Sequence, residues 1–229
     1  MSQTVPFGVD ELATGATQLG LSLSEAQLDT LLQYAAMLLK WNQVYNLTAI
    51  RSPAEVLTHH LLDSLAAVQP LRRYLETQGL SDAAVLDVGS GGGLPGIVLT
   101  IACPELKVTC VDTVSKKAAF IQQAAIQLPR QVMGGRLASR HARVESLDTP
   151  FYVVCSRAFA SLPDFTQWSG KALKPGGAWM AMKGQMPDAE IAALPAGIEV
   201  FHVEQLAVPS LDAQRCIVWL RDQAPPGIA

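Results

Sequence analysis

The sequence predicts an α/β fold: a mostly parallel β-sheet with helices on both faces, a C-terminal antiparallel hairpin and an N-terminal helical extension. From about residue 83 onward, short apolar runs alternate with helical patterns, which is typical of a parallel sheet covered by helices. The first run, 84–88, leads into a glycine-dense turn. The last two runs, 198–206 and 215–220, leave no room for an ordinary helix between them, so we expect them to pair as a hairpin.

The helices before residue 80 are predicted from leucine spacing and from capping residues. Leucines and alanines recur at helical spacing between about 24 and 41, and either Ser24 with Gln27 or Ser22 with Glu25 would supply a capping box. A second helix begins with Pro53 in its first turn, and Pro70 ends or kinks it.

The remaining elements alternate along the chain. Strands are predicted near 84–88, 107–112, 151–155, 178–182, 198–206 and 215–220. A helix is predicted near 116–128, and the segment 129–142 contains a short strand at 137–141. We therefore predict three parts: a helical extension packed on the core (1–80), a main domain (81–223) and a flexible tail (224–229).

Composition and length limit the class of protein. The chain has 229 residues, 49% hydrophobic and 16% charged, which indicates a folded core rather than disorder. The sequence has no signal-peptide pattern and no apolar run long enough for a membrane span, so we expect a cytoplasmic protein. The four cysteines lack C-x-x-C spacing and the four histidines form no ligand set, so we expect reduced cysteines and no metal.

Charge is distributed unevenly along the chain. The formal net charge is −3, yet residues 130–183 contain eight basic and three acidic residues, a local balance of +5. A basic patch on an acidic protein is compatible with RNA binding, whereas composition alone favours an ordinary solvated surface. Both interpretations stay open at this point.

The turn after the first predicted strand indicates a cofactor site. Its residues Asp87, Gly89, Gly91 and Gly93 form the pattern D-x-G-x-G-x-G, whereas a dinucleotide fingerprint requires glycine where Leu94 stands. Glycines allow a sharp turn and close approach of a ligand, and we expect the first N–H groups of the following helix to face that ligand. The pattern resembles motif I of class I S-adenosylmethionine (SAM) methyltransferases.

Other strand ends support a cofactor cleft. Asp112 ends the second predicted strand 23 positions after Gly89, a spacing that suits hydrogen bonds to ribose hydroxyls. The third strand stops at Ser156 and Arg157, and ligands gather where parallel strands end. A single acid or arginine is as often half of a surface ion pair, but agreement among several strand ends favours a site.

Five motifs between about residues 25 and 220 carry a resemblance to one family. They are W-N-x-x-x-N-L-T (41–48), H-x-x-D-S-L (60–65), L-D-V-G-S-G-G-G-L-P-G (86–96), S-R-A-F-A (156–160) and M-K-G (182–184). Together they resemble RsmG, also called glucose-inhibited division protein B, a family of bacterial methyltransferases that modify N7 of a guanine in 16S ribosomal RNA. The chain departs from the family at Gly92, where alanine is usual, and at Val144, where Ala-Glu is frequent in place of Val-Glu.

The resemblance implies SAM as cofactor and 16S rRNA, the small ribosomal subunit or an assembly intermediate as substrate, with a monomeric enzyme. It implies these cofactor contacts: Gly89, Ser90, Gly91, Leu94, Asp112, Val144, Glu145 and Arg157. It implies these substrate contacts: Asn46, His60, Asp63, Arg143, Lys183 and Arg215. Arg157 and Lys183 are expected to lie nearest the reacting atoms.

The implied chemistry makes few demands on the protein. Guanine N7 carries a lone pair and no hydrogen, so a direct in-line methyl transfer requires no general base. The protein would then supply alignment and electrostatics. Arg157 stands where many amino-group methyltransferases have an acid or asparagine, and its donors suit either guanine O6 or SAM.

Several of these residues also have a structural interpretation. His60, Asp63 and Ser64 share one helix face and form either a polar wall of the substrate entrance or, as we favour, a joint between the N-terminal helices and the sheet. Asn46 either closes the pocket over SAM or caps a turn. Trp41 either stacks on an RNA base or, as we favour, packs in the core.

Three other functions compete with rRNA methylation. A nicotinamide-dependent oxidoreductase is disfavoured by Leu94 at the third glycine position. A non-catalytic SAM-binding regulator is disfavoured by the donors of Arg157 and Lys183 beside the expected cofactor. A small-molecule methyltransferase would have little use for the basic segment.

Overall fold

A seven-stranded sheet lies at the centre of the computed structural model, which describes residues 8–223. The strands are β1 (Ala83–Val88), β2 (Leu106–Asp112), β3 (Leu137–His141), β4 (Phe151–Arg157), β5 (Leu173–Lys183), β6 (Ile198–Gln205) and β7 (Cys216–Asp222). Their order is β3-β2-β1-β4-β5-β7-β6, and β7 runs antiparallel to both of its neighbours while the other pairings are parallel. The predicted mostly parallel sheet with a C-terminal hairpin is therefore confirmed.

Helices cover both faces of this sheet. They are α1 (Val9–Gln18), α2 (Glu25–Tyr45), α3 (Pro53–Val56), a π-helical turn (Leu57–Leu62), α4 (Asp63–Leu65), α5 (Val68–Thr77), α6 (Gly96–Ala102), α7 (Ser115–Gln127), α8 (Arg130–Met133), α9 (Leu162–Ser169) and α10 (Asp188–Ala192). Short 3-10 turns lie at Val144–Ser146 and Gly170–Ala172.

Alternation along the strands divides the core between the two faces. In β1, Val85 joins the larger cluster and Leu86 the smaller one. The larger cluster also contains Leu12, Leu31 and Leu38 from the first two helices. The N-terminal helices therefore share one apolar core with the sheet, and their apolar faces are buried against it.

The helical predictions hold with three differences. The Ser24–Gln27 capping box is present, but α2 continues to Tyr45. A further helix with a buried face, α1, precedes the two that were predicted. Pro70 neither ends nor kinks a helix: it lies in the first turn of α5, where a missing N–H costs no hydrogen bond.

Two differences concern the strands and the chain end. The strand predicted near 178–182 begins earlier, at Leu173, and the pairing register of β5 with β4 shifts near its start. The predicted tail, 224–229, lies outside the described residues. Within 8–223, no helix is long and apolar enough to cross a membrane. The four cysteines are free and buried.

Candidate active site

The glycine-dense turn after β1 brings bare backbone against an aromatic ring. Gly89, Gly91 and Gly93 have φ values of +66°, +58° and +86°, which only glycine adopts without strain. A Cβ atom on Gly89 would lie 2.1 Å from Cδ2 of Phe159. Any larger residue at position 89 would displace that ring, so the glycine is what allows Phe159 to lie against the end of β1.

The backbone amides of the turn already have partners within the protein. Acceptors inside the chain take the hydrogens of Gly89, Ser90, Gly91, Gly93 and Leu94. The Gly96 amide at the start of α6 donates to Oδ2 of Asp87 at 2.9 Å. The expectation that this helix presents its first N–H group to a ligand is therefore wrong for Gly96, because Asp87 caps it.

Asp87 is fully buried beneath the turn. Its Oδ1 atom has no hydrogen-bond partner among the described residues. Burial raises the pKa of this carboxyl to about 7, and the Gly96 hydrogen bond only partly opposes the shift. Asp87 is therefore partly protonated at neutral pH.

The turn is also held by α2. The Tyr34 hydroxyl donates to the Gly92 carbonyl at 2.7 Å, and burial raises the pKa of Tyr34. A Cβ atom on Gly92 would lie 2.8 Å from Leu38 Cδ1. Glycine at position 92 thus allows Leu38 to pack closely against the turn.

Asp112 at the end of β2 fixes the other side of the turn. Its Oδ2 accepts from the Gly91 amide at 2.9 Å, and its Oδ1 accepts from the Val114 amide at 2.8 Å. The carboxylate therefore has a single orientation, and each oxygen keeps a lone-pair direction for a further donor.

Two adjoining cavities lie at the carboxyl ends of the parallel strands. The larger cavity has a volume of about 490 Å³ and the smaller one about 370 Å³. Three residues line both: Gly89, Lys117 and Ala158. The cavities therefore meet at the end of β1, where ligand sites of parallel sheets are found.

The predicted site residues divide between these cavities. The larger cavity is lined by His60, Asp63, Gly89, Ser90, Gly91, Leu94, Arg157, Lys183 and Arg215, among others. The smaller cavity is lined by Gly89, Asp112, Arg143, Val144 and Glu145, among others. Most of the predicted substrate residues thus meet in the larger cavity, and the residues predicted to hold the adenosine half of the cofactor meet in the smaller one.

A buried carboxylate joins two arginines in the larger cavity. Asp63 accepts from Arg157 at 2.8 Å through Oδ2 and from Arg215 at 2.8 Å through Oδ1. The Asp63 side chain is 4% exposed, and those of Arg157 and Arg215 are 17% and 21% exposed. Arg157 also donates to the carbonyl of His59 in the π-helical turn. This network is the joint between the N-terminal helices and the sheet, and it also faces the cavity.

His60 is part of the same network as a neutral ring. Its Nε2 lies 2.9 Å from the Thr48 hydroxyl, and its Nδ1 lies 3.3 Å from Arg157. Burial lowers the pKa of His60 to about 4, and the adjacent Arg157 guanidinium contributes to that shift. His60 is therefore uncharged at neutral pH.

Lys183, at the end of β5, is held by two acceptors. Its ammonium donates to the Ala160 carbonyl at 2.9 Å and to Oε2 of Glu190 at 2.7 Å. The same Glu190 oxygen accepts from the Leu162 amide at 2.6 Å. Lys183 therefore fixes the loop between β4 and α9 to α10 while it lines the larger cavity.

Two predicted substrate residues lie elsewhere. Arg143 lines the smaller cavity and pairs with Glu145 at 3.0 Å, so it stands beside the predicted adenosine residues rather than with Arg157. Asn46 lines neither cavity: it adopts a left-handed conformation at the end of α2, and its Oδ1 accepts from Arg51 at 2.9 Å. The turn-capping interpretation of Asn46 fits this geometry, as does edge-on packing of Trp41 against Phe120.

The sequence reasoning missed several residues of the site. Phe159 and Trp168 line the smaller cavity and contact each other edge to face, with centroids 5.8 Å apart. Ala158 has φ +52°, a strained value for a residue with a side chain. The rule that ligands gather where parallel strands end would have identified Ala158 and Phe159, which directly follow Arg157. No local signal marks Lys117 or Glu190, because their placement depends on how distant elements pack.

The described residues fit SAM. The smaller cavity combines the carboxylate of Asp112 with the apolar side chains of Val144 and Phe159, a set that suits an adenosine. Gly89 keeps open the junction to the larger cavity, and no cluster of metal-binding side chains occurs within residues 8–223. When bound there, SAM would supply an activated methyl group on a sulfonium.

A sequence model of the family described as GidB, rRNA small subunit methyltransferase G, matches residues 27–218. The chain belongs to this family. Ribosomal RNA small subunit methyltransferase G of Acidovorax sp. (strain JS42) is 62% identical over 218 residues, which cover 93% of this chain and 95% of the relative. The protein of the same name from Polaromonas sp. (strain JS666) is 60% identical over 215 residues, covering 93% of each chain. The resemblance carried by the five motifs is thus confirmed.

Solved structures of SAM methyltransferases share the fold. The glycopeptide N-methyltransferase MtfA aligns with a TM-score of 0.56 at 13% identity, covering 68% of this chain and 96% of that one. Magnesium protoporphyrin IX methyltransferase (ChlM) from Synechocystis PCC 6803, with bound SAM, aligns with a TM-score of 0.55 at 14% identity, covering 80% and 90%. The predicted class I SAM methyltransferase fold is confirmed.

Proposed function

We propose that this protein transfers the methyl group of SAM to N7 of a guanine in 16S rRNA. Membership of the rRNA small subunit methyltransferase G family supports the enzyme class and the substrate. The observation that carries the choice of guanine is the arginine pair on Asp63, because guanine presents an acceptor at O6 beside N7 and arginine is its usual donor, whereas N7 itself is chosen from membership of the family.

The larger cavity accounts for guanine recognition. Arg157 and Arg215 each use some of their donors on Asp63, and a guanidinium has five N–H groups, so both keep donors for guanine O6 or a phosphate. A donor on N7 itself would block its lone pair during transfer. Arg157 is therefore assigned to O6 or to the cofactor, and the base is oriented with N7 free.

The chain needs no general base for this reaction. Guanine N7 has no hydrogen to lose, and the titratable groups of the site fit that requirement. His60 is neutral and bonded to Thr48, while Asp87 is buried beneath the glycine turn. These residues hold the cavity walls in place, so a substitution among them affects positioning rather than a proton transfer.

The partner and location follow from the substrate. We assign the small ribosomal subunit, its naked rRNA or an assembly intermediate as the partner, and a monomeric enzyme in the cytoplasm. The smaller cavity is assigned to the adenosine of SAM through Asp112, Val144 and Glu145, and the glycine turn to its methionine half through Ser90, Gly91 and Leu94.

Methyl transfer from labelled SAM tests the proposal. Small subunits from a strain lacking this protein are incubated with the enzyme, and the nucleosides of the product are separated. Label in 7-methylguanosine of 16S rRNA is expected. Label in another nucleoside would overturn the N7 assignment, and intact SAM binding without transfer to subunits, rRNA or intermediates would favour the non-catalytic regulator. Hydride transfer with a nicotinamide would favour the oxidoreductase.

A further inference from the structure

Lys117 is a cation at the junction of the two cavities that no described residue neutralises. It lies in the first turn of α7, is half-buried, and lines both cavities. Its ammonium forms no hydrogen bond and no ion pair with another residue in 8–223. Water alone would have to solvate this charge inside a partly enclosed site.

The other cations of the larger cavity, unlike Lys117, have ion-pair partners within the protein. Arg157 and Arg215 share the carboxylate of Asp63, and Lys183 is paired with Glu190. Each of these side chains is fixed by internal acceptors, and the three cations share two carboxylates. Lys117 is therefore the basic residue of that cavity lining with its full charge available for a ligand.

The sequence of α7 makes this placement unfavourable for folding. A helix N-terminus carries partial positive charge and is stabilised by acidic side chains. Here the helix begins Ser-Lys-Lys and contains no acidic residue along Ser115–Gln127. Two lysines at this end repel the helix dipole and each other. The Asp112 carboxylate, which accepts from the Val114 amide just before the helix, offsets part of this cost, and an anion bound by Lys117 would offset more.

We propose that the Lys117 ammonium binds a phosphate oxygen of the target nucleotide and thereby positions its guanine at the cavity junction. This inference rests on the proposed function and adds the group that holds the nucleotide's backbone. A nucleotide that enters the larger cavity brings its phosphate with it, and the arginines there are already partly compensated. The SAM carboxylate is the other oxyanion within the site, and the experiment separates the two.

The test compares Lys117→Ala with Lys116→Ala, which removes the same charge from the adjacent exposed residue that lines neither cavity. Binding to small subunits is measured by sedimentation at several salt concentrations, and SAM affinity is measured by calorimetry without RNA. For Lys117→Ala we expect subunit affinity to fall about 10-fold, with the slope of log affinity against log salt reduced by about 1 and SAM affinity unchanged. Lys117→Arg should restore most of the affinity.

Three results would overturn the inference. Weaker SAM binding in Lys117→Ala would assign the lysine to the cofactor carboxylate. Equal losses in Lys116→Ala and Lys117→Ala would indicate diffuse surface attraction, and no loss in either would show that no phosphate is bound there. Because these readouts are binding measurements, they remain decisive even if wild-type protein transfers no methyl group, a result that would instead count against the proposed function.

Discussion

Asp63 is the single residue on which the geometry of both cavity arginines depends. Its two carboxylate oxygens bind one guanidinium each, and the carboxylate is almost completely removed from water. A buried carboxylate with two such partners is stable only as a complete set, because each group left alone would retain a buried charge. Asp63 is thus a positioning residue for Arg157 and Arg215.

Replacement of that carboxylate by an amide should affect both folding and catalysis. We expect Asp63→Asn to lose about 3 kcal/mol of unfolding free energy, because two part-buried guanidiniums lose their counter-charge. We expect kcat to fall about 100-fold as Arg157 moves, with SAM affinity retained. Urea unfolding and single-turnover methyl transfer measure these changes.

The matched control is Glu199→Gln, which removes the acid of the Arg221–Glu199 pair, a bridge with side chains 54% and 32% exposed. An exposed pair of this kind is screened by solvent and contributes little to stability, so this variant should resemble wild type in both assays. A wild-type rate in Asp63→Asn would refute the positioning role.

His60 and Asp87 should give stability opposite dependences on pH. The pKa of His60 falls from 6.5 to about 4 in the folded protein, so the unfolded chain binds more protons between those values and stability is lost as pH falls through them. The pKa of Asp87 rises from 3.8 to about 7, so the folded protein binds more protons there and stability is lost as pH rises from 3.8 to 7.

Removing His60 should therefore stabilise the protein relative to wild type at low pH, and removing Asp87 should do so at high pH. Relative to wild type, His60→Gln should gain up to about 3 kcal/mol as pH is lowered from 7 to 4, and Asp87→Asn up to about 4 kcal/mol as pH is raised from 4 to 8. Urea unfolding at pH 4.5, 6 and 8 measures both, with the exposed His202→Gln as control. Parallel profiles for all variants would contradict the assignment.

At the scale of elements, the glycine turn contributes to the site through its lack of side chains. Most of its amides are used internally, so its contribution to a ligand site is the bare Cα of Gly89 against Phe159. That contact also explains why β4 is followed by the strained Ala158: the backbone must reverse direction there to bring Phe159 over the turn.

A comparison of two glycines separates the effect of a steric clash from the effect of backbone strain. Gly89 and Gly79 have nearly equal φ values, +66° and +68°, but nothing lies within 4 Å of a Cβ on Gly79. Gly79→Ala should cost about 1 kcal/mol from the left-handed conformation alone and leave SAM affinity unchanged. Gly89→Ala should cost more and reduce SAM affinity about 10-fold or further, since a shift of 1.4 kcal/mol is tenfold.

Thermal unfolding and calorimetry with SAM measure this pair of variants. Equal SAM affinities in the two would show that Phe159 moves aside freely and that the turn tolerates a side chain.

Local patterns sufficed for most of the elements because each depends on its own residues. The helix near 116–128 was predicted to within a residue from apolar spacing, whereas the Gly/Arg/Ser-rich segment 129–142, which contains α8 and β3, gave no regular pattern. The π-helical turn was not predictable. Its leucine spacing also fits an α-helix, and the His59 carbonyl within it is bound by Arg157 from a strand 98 residues away.

Sequence reasoning about the site reached residues at the ends of strands and missed residues that only tertiary contacts bring there. Strand-end residues such as Asp112 and Arg157 could be found because parallel strands end at one edge. Arg143 was assigned to the substrate from its charge, but its ion pair with Glu145 places it at the smaller cavity. Lys117 could not be found because only the packing of α7 against β2 and β3 brings it between the cavities.

At the scale of the whole molecule, the N-terminal helices and the sheet are joined by both apolar and polar contacts. Helices α1 and α2 contribute leucines to the same core cluster as β1 and β7. Arg72 donates to Glu105 at 2.9 Å, and Gln27 donates to the Ile101 carbonyl at 2.7 Å. A cofactor site supported from both sides requires that the two parts fold together, so we expect 1–80 and 81–223 to unfold as one unit.

Tyr34→Phe tests that coupling, because the Tyr34 hydroxyl links α2 to the glycine turn through Gly92. Loss of this buried hydrogen bond leaves a carbonyl unpaired and should cost about 1–2 kcal/mol. If the two parts form one cooperative unit, hydrogen exchange measured by segment should speed up equally in α2 and in β1, and SAM affinity should fall with it. Tyr152→Phe, whose hydroxyl has only a long 3.5 Å contact with Gln78, should change neither. Faster exchange confined to α2 would show instead that the helical extension opens alone, and that the sheet domain holds the glycine turn without its help.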